Sequence, residues 1–268
     1  MSGRGATARV LPTLLRIGFA EAVAYRAELL VWVLSTTMPL VMLALFTAVA
    51  RDAPVGRFGQ KEFVAYFVAT FIVRQLTSSW VAWDMNYEIR QGTLALRLLR
   101  PVHPMIAFAA GNVSVQPLRL VVAIPVAVVG LAAIGASQLT GDPALWAIWC
   151  VAMVGGWLIT YFAGFAIGSL AFFTESSLRL MDLWLTLFFV FSGYMIPVEL
   201  FPPWLGVLTD WLPFRYQIGL PVEIMTSAHG RAEALAMLAR QWLWVVVLGA
   251  AAIRLWRHGS RRFAAYGG

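Results

Sequence analysis

The sequence predicts an all-α protein that crosses a membrane several times, and three observations carry this. Hydrophobic residues fill 60% of the 268 positions and mean hydropathy is +0.77. Charged residues make up 12%, about half the ~25% usual in soluble domains. The apolar segments are long and continuous, matching the ~20 residues a spanning helix needs rather than alternating barrel strands of ~10. A water-soluble enzyme is excluded, and so is disorder, which requires low hydrophobicity.

The elements follow in order. Met1 to Pro12 carries Arg4 and Arg9 and lacks the apolar stretch and cleavage site of a signal peptide. From Leu11 to Arg26, within an interfacial segment 11–27, Leu11, Leu14, Leu15, Gly18, Phe19, Ala22 and Val23 recur at helical spacing. That pattern predicts a helix lying in the membrane surface; the alternative is an extension of the first span. Spans are expected at about Leu29–Ala50, Phe63–Trp83, Leu118–Ala136, Ala144–Phe173, Leu180–Ile196 and Ala234–Trp256, six in all. Gly111, Asn112 and Pro117 should split the overlong apolar region from Met105 into a short interfacial piece and the third span. Residues 84–104 form a polar inner loop and 197–233 a mixed outer or re-entrant segment, all within one permease-like domain, 1–268.

Six spans place both termini on one side. With the ends inside, twelve arginines fall on inner segments and six basic residues on outer ones, so the positive-inside rule puts the termini in the cytoplasm. The net charge of +7 therefore sets orientation; no basic stripe with interleaved aromatics suggests nucleic acid. Cys150, the only cysteine, allows no intrachain disulfide and is expected to be a small packing residue. His103, His229 and His258 are scattered, with no metal cluster, and each is expected to be solvated.

No motif for chemistry is present. Lys61, the only lysine, sits in FGQKEF and cannot serve a phosphate-binding loop, which needs G-x-x-x-x-G-K-S/T. No cofactor is expected on this chain. The strongest local signal is the loop from Asp84 to Pro104. Asp84 or Asn86 should cap a short helix, Gly92 should end it, and a second piece, Thr93 to Leu99, should stop before Pro101. Leucines and arginines together on a short inner helix suit docking into a groove on a soluble partner, or simply lying on lipid headgroups.

The stretch EIRQGTLALRLLRP, residues 88–101, resembles the cytoplasmic coupling region of ABC transporter permeases of the type-two exporter class. AYRAELL at 24–30, FSGYMIPVELFPPWL at 191–205 and LPFRYQIGLPVEIM at 212–225 extend the likeness over nearly the whole chain. The resemblance implies that Tyr87, Glu88, Arg90, Gly92, Thr93, Leu94, Arg97 and Pro101 contact a separate ATPase. It implies two soluble ABC ATPase subunits carrying ATP and Mg²⁺, a second permease (identical or related), and a bacterial inner membrane. The outer segment would form short re-entrant helices, with Tyr194, Pro197, Glu199, Phe201 and Pro202 at an outer gate.

Polar residues within spans form a further group. Arg74, with Gln75, Thr77, Ser78 and Ser79 beyond it, lies in the second span. A central arginine costs at least ~2.5–3.5 kcal/mol to insert, so it should face the bundle interior. Its expected partner is Glu175, Asp182 or a polar group on a second subunit, in a structural ion pair or in a transport pathway. Arg119 should snorkel to the inner surface. Gly156, Thr160, Gly164 and Gly168, four apart, make a close-packing face, within the subunit or at a dimer seam. The functional classes are then an ATP-driven exporter of an amphiphilic or hydrophobic substrate (drug, lipid, glycolipid, peptide or secondary metabolite) working by alternating access, a non-transporting scaffold, or an intramembrane lipid-modifying enzyme.

Overall fold

The computed structural model describes residues 3–25, 27, 31, 36–134 and 138–263, with side chains from residue 10 onward except at 134. Among these residues the protein is almost entirely helical, and the one extended pairing is an isolated bridge, Val55 to Phe58. The helices are α1 (Gly3–Ala24), α2 (Met38–Val49), α3 (Gln60–Thr77), α4 (Val81–Arg90), α5 (Leu94–Leu98) and α6 (Pro104–Ser114). They continue with α7 (Gln116–Ile134), α8 (Pro143–Ser169), α9 (Ser177–Phe191), α10 (Pro203–Trp211), α11 (Gly219–Met225) and α12 (Arg231–Ser260).

Three stretches among the described residues are long and apolar enough to cross a membrane: Pro104–Ala133, Pro143–Phe172 and Arg231–Ser260. α2 is apolar but shorter, and much of the expected first span, with AYRAELL, falls outside the described residues. α8 packs along α12, and α3 is wedged among α2, α7, α8 and α11. α3 is therefore a core helix. Phe63, Tyr66, Phe67, Ala69 and Val73 are buried in one cluster with Phe188, Tyr194, Phe214 and Ile218. That interior position explains how α3 keeps Arg74 in a mostly apolar bundle, while Glu62 sits in its first turn and accepts from Gly59 N at 3.0 Å.

Several boundaries differ from the expectation. α1 starts at Gly3 rather than Leu11 and runs through Pro12. Proline removes one amide, but the surrounding Ala and Leu residues favour helix. Leu14, Leu15, Gly18 and Ala22 form its half-buried face, while Leu11, Phe19 and Val23 stay exposed. α1 lies on α6. A Cβ at Gly18 would meet Ser114 Oγ, so glycine permits the approach. The fifth expected span is shorter, because α9 stops at Phe191 and Gly193 turns with φ +80°. The Tyr66 hydroxyl donates to the Gly193 carbonyl at 2.7 Å.

The second expected span, Phe63–Trp83, is not one helix. α3 ends at Thr77, residues 78–80 are non-helical, and α4 starts at Val81. Asp84 and Asn86 are thus inside α4 and cap nothing. Non-helical backbone within a bundle must be satisfied by protein groups, and here it is. Gln116 Nε2 donates to Leu76 O at 2.9 Å. Arg119 Nη1 donates to Gln75 O at 3.2 Å and to Ser78 O at 3.0 Å. Asn112 Oδ1 accepts from Trp80 N at 3.1 Å and from Ser79 Oγ at 2.9 Å. Arg119 does not snorkel; it is 4% exposed and anchors this break.

The small-residue face of α8 packs within the subunit. Added Cβ atoms would strike Gln217 O at Gly156, Val81 at Gly164, and Met85 and Ala82 at Gly168. Close approach by α4 and by the residues leading into α11 requires those glycines. Cys150, expected to pack inside, is exposed on α8.

Candidate functional site

Two ends of the bundle carry polar clusters. At one end, α4, the Gly92 turn and α5 form an arm. Gly92 has φ +72° with open space around it, so glycine is needed for the turn rather than for packing. Leu94 is fully buried and pins α5 against Val81, Met85 and Phe108. Arg97 Nε donates to Glu88 Oε2 at 2.8 Å, and its guanidinium lies 4.1 Å from the Phe108 ring centre. Thr93 Oγ1 reaches Glu88 O at 3.5 Å. Arg90 Nη2 donates to Thr174 O at 2.7 Å, and Asn86 donates to Ser177 Oγ at 2.7 Å. The arm is therefore braced to α6 and to the α8–α9 turn. Pro101 sits in the exposed bend that follows α5.

The outward side of this arm is apolar and bare. Leu99 is 82% exposed and Leu96 65%. Between the arm, α1 and α6 lies a cavity of about 740 Å³, with Trp83, Asp84, Tyr87 and Tyr25 on its walls. Asp84 lines this space with an exposed side chain. Desolvation by the protein nearby pushes its carboxyl up to about 6, with Glu88 adding to the rise and Arg97 opposing it. α1 and the segment after α12 lie at this same end; Phe263 packs on Phe172 and Arg262 lies over Phe173.

The opposite end is closed on itself. Arg215 donates to Glu223 at 3.2 and 2.9 Å and also pairs with Asp210. His229 lies between two carboxylates, with Nε2 2.9 Å from Glu223 and Nδ1 3.0 Å from Glu233. Burial would raise the Glu223 carboxyl, but Arg215 and His229 outweigh it and hold it down at about 2. Burial would lower His229, but Glu223 and then Glu233 outweigh it and raise its pKa. His229 is thus a part-buried, paired group rather than the solvated histidine expected. Arg57 grips Glu199, and Arg231 donates to Asp142 at 2.8 Å.

Sequence reasoning singled out Glu199 but missed Asp210, Arg215 and Glu223. The eight-residue spacing of Arg215 and Glu223 across a non-helical segment hides their pairing. Of the outer-gate set, Tyr194 is buried and donates to Thr36 O at 3.1 Å. Pro197 precedes a short 3₁₀ turn, Pro202 precedes α10, and Phe201 joins the two.

The middle of the bundle holds the third group. Arg74 does not meet Glu175 or Asp182: Glu175 is exposed beside Arg90, and Asp182 is exposed on α9. The Arg74 guanidinium instead lies over Phe188, 4.7 Å from the ring centre, on the side of Tyr194. Its Nε has no hydrogen-bond partner. Gln75 Nε2 donates to Thr36 Oγ1 at 2.9 Å. Ser78 faces Arg119. The three residues grouped by sequence are therefore adjacent but serve different neighbours.

No curated protein matches the chain. A family profile described as ABC-2 family transporter protein matches residues 33–267, which takes in the arm, the helix break and the paired end. That family membership implies a membrane transport component that pairs with an ABC ATPase subunit rather than an enzyme in its own right. The chain belongs to the ABC-2 transporter family as a membrane permease.

Proposed function

We propose that this protein is the permease half of an ATP-driven exporter in a bacterial cytoplasmic membrane, and that its arm is where the ATPase docks. The carrying observation is the pairing of bare leucines with a rigid mount. Leu96 and Leu99 are exposed, while Leu94, Arg97, Arg90 and Asn86 fix the arm to three helical elements. An exposed apolar patch on a stiff support suits a groove on a soluble partner. Force on the arm would reach α8 and α9 through Arg90 and Asn86.

The supporting features are consistent with one topology. α1 and the residues after α12 share the arm end, as six crossings with cytoplasmic termini would require. α2, α3 and α9 would complete the six by crossing inside the bundle or beside it. Two ATPase subunits would carry ATP and Mg²⁺, and a second permease, identical or related, would close the passage by two-fold pairing. The paired end would be the outer gate, and alternating access would carry an amphiphile outward.

The test uses the permease co-reconstituted with its ATPase. Arg97→Ala removes the brace from α5 without touching the bare leucines. It should retain ATPase binding while ATP-driven transport falls about tenfold or more, as loss of a charge-assisted pair predicts. Transport at the wild-type rate would remove the arm from the mechanism.

A further inference from the structure

The helix break between α3 and α4 opens onto a cavity of about 250 Å³, walled by Arg74, Ser79, Trp83, Trp184, Phe188 and Gln217. Its polar groups are unusual in what they lack. Gln217 is 1% exposed, yet its Nε2 has no hydrogen-bond partner; its other end meets Thr160 at 3.0 Å. Arg74 has no carboxylate within ion-pair reach among the described residues. Arg119, close enough to repel Arg74, has none either. Arg74 has the Phe188 and Tyr194 rings and the Tyr194 hydroxyl beside it, and Arg119 has backbone carbonyls and Ser78, but no described acid neutralises either cation.

Burying cations is costly unless an opposite charge accompanies them. Natural bundles place such groups where a ligand completes them, and a broken helix inside a bundle is the usual place. α4 adds to the effect. Its ten residues start at the break, so the positive end of its dipole lies at the cavity. The remaining walls, Trp83, Trp184 and Phe188, are apolar and aromatic. A small positive recess with apolar walls fits a compact anion attached to a hydrocarbon body.

We infer that this recess binds the anionic head group of an amphiphile, phosphate or carboxylate, with Arg74 as its charge partner and Gln217 as its neutral one. The inference rests on the permease reading only for calling the occupant cargo. Binding itself requires no ATPase, so the two readings fail separately. The occupant could come from the bilayer or from a single-chain solute, and the head-group chemistry is the same.

The experiment uses the full-length permease in phosphatidylcholine nanodiscs and measures binding of radiolabelled dodecyl phosphate. Saturable binding is expected. Arg74→Gln and Gln217→Glu should each weaken it about tenfold or more, the loss expected for one charge-assisted hydrogen bond, while Arg74→Lys retains most of it. Dodecyltrimethylammonium should not compete. Competition by short-chain phosphatidylglycerol would assign the site to a bilayer lipid, and its failure would assign it to a single-chain solute; both support the anion site. Thermal protection of the wild type by dodecyl phosphate, and not by the trimethylammonium, gives the same answer without any variant. Wild-type affinity in Arg74→Gln, or equal displacement by the cation, would overturn the inference. Arg97→Ala should leave this binding unchanged, whatever it does to transport.

Discussion

The two ends of the bundle solve opposite problems. At the paired end the charges are matched inside the chain: buried Arg215 with Glu223 and Asp210, part-buried His229 with Glu223 and Glu233, and exposed Arg57 with Glu199. At the arm end Glu88 is matched by Arg97 and Arg90 reaches Thr174, but the leucines are not covered; Leu96 is 65% and Leu99 82% exposed. A region that satisfies itself is built for integrity. One that braces its own helices and leaves leucines bare is, in the function proposed above, built for a partner. The difference assigns separate jobs to two clusters that look alike in sequence, since both are polar interruptions between apolar runs.

The comparison breaks most visibly at Glu223. Removing it with Glu223→Ala leaves Arg215 buried without its main counter-charge, which costs about 3–5 kcal/mol. A large drop in thermal stability should follow, measured by unfolding in detergent. A small drop would mean that Asp210 alone suffices and that the paired end is less integrated than its geometry indicates.

A smaller effect sharpens the same contrast through pH. His229 has a raised pKa in the folded protein, so its contribution is full below its ordinary value of about 6.5 and is lost as pH rises through the folded value. Glu223 is depressed, so its contribution is full above its ordinary value of about 4.5 and is lost as pH falls toward about 2. Thermal stability should therefore peak between about pH 4.5 and 6.5 and decline on the alkaline side. His229→Gln should flatten that alkaline decline. An unchanged profile in the variant would detach His229 from the stability of this end.

Much of the fold was legible because long apolar helices announce themselves. α8 and α12 are visible in hydropathy alone, and Asp142 caps α8 where its position suggests, accepting from Ala144 N at 2.9 Å. α3 was harder. Its interior position, not its composition, decides that Arg74 can stay, and interior position is a tertiary property. The break after Thr77 was hidden because its supports come from elsewhere in the chain. Yet Asn112, Gln116 and Arg119 stand four and three residues apart, a polar stripe at helical spacing in an apolar region. Read as a stripe rather than as isolated residues, they point to something polar packed alongside. The arm was legible in its turn glycine and its leucines, while the bracing of Arg97 on Glu88 and Phe108 required the fold. Of the partners expected for Arg74, the two acids of this chain lie elsewhere, and the described structure gives it aromatic rings at the edge of a recess.

The central claim, that the arm end is unfinished without an ATPase, is tested most directly by co-purification of the ATPase with Leu96→Ser/Leu99→Ser. Both side chains are exposed, so the variant should melt within about 0.5 kcal/mol of wild type. The account predicts that wild-type permease co-elutes with the ATPase and that the double variant, equally folded, does not. Full co-elution of the double variant would contradict the account and move the docking surface elsewhere on the molecule.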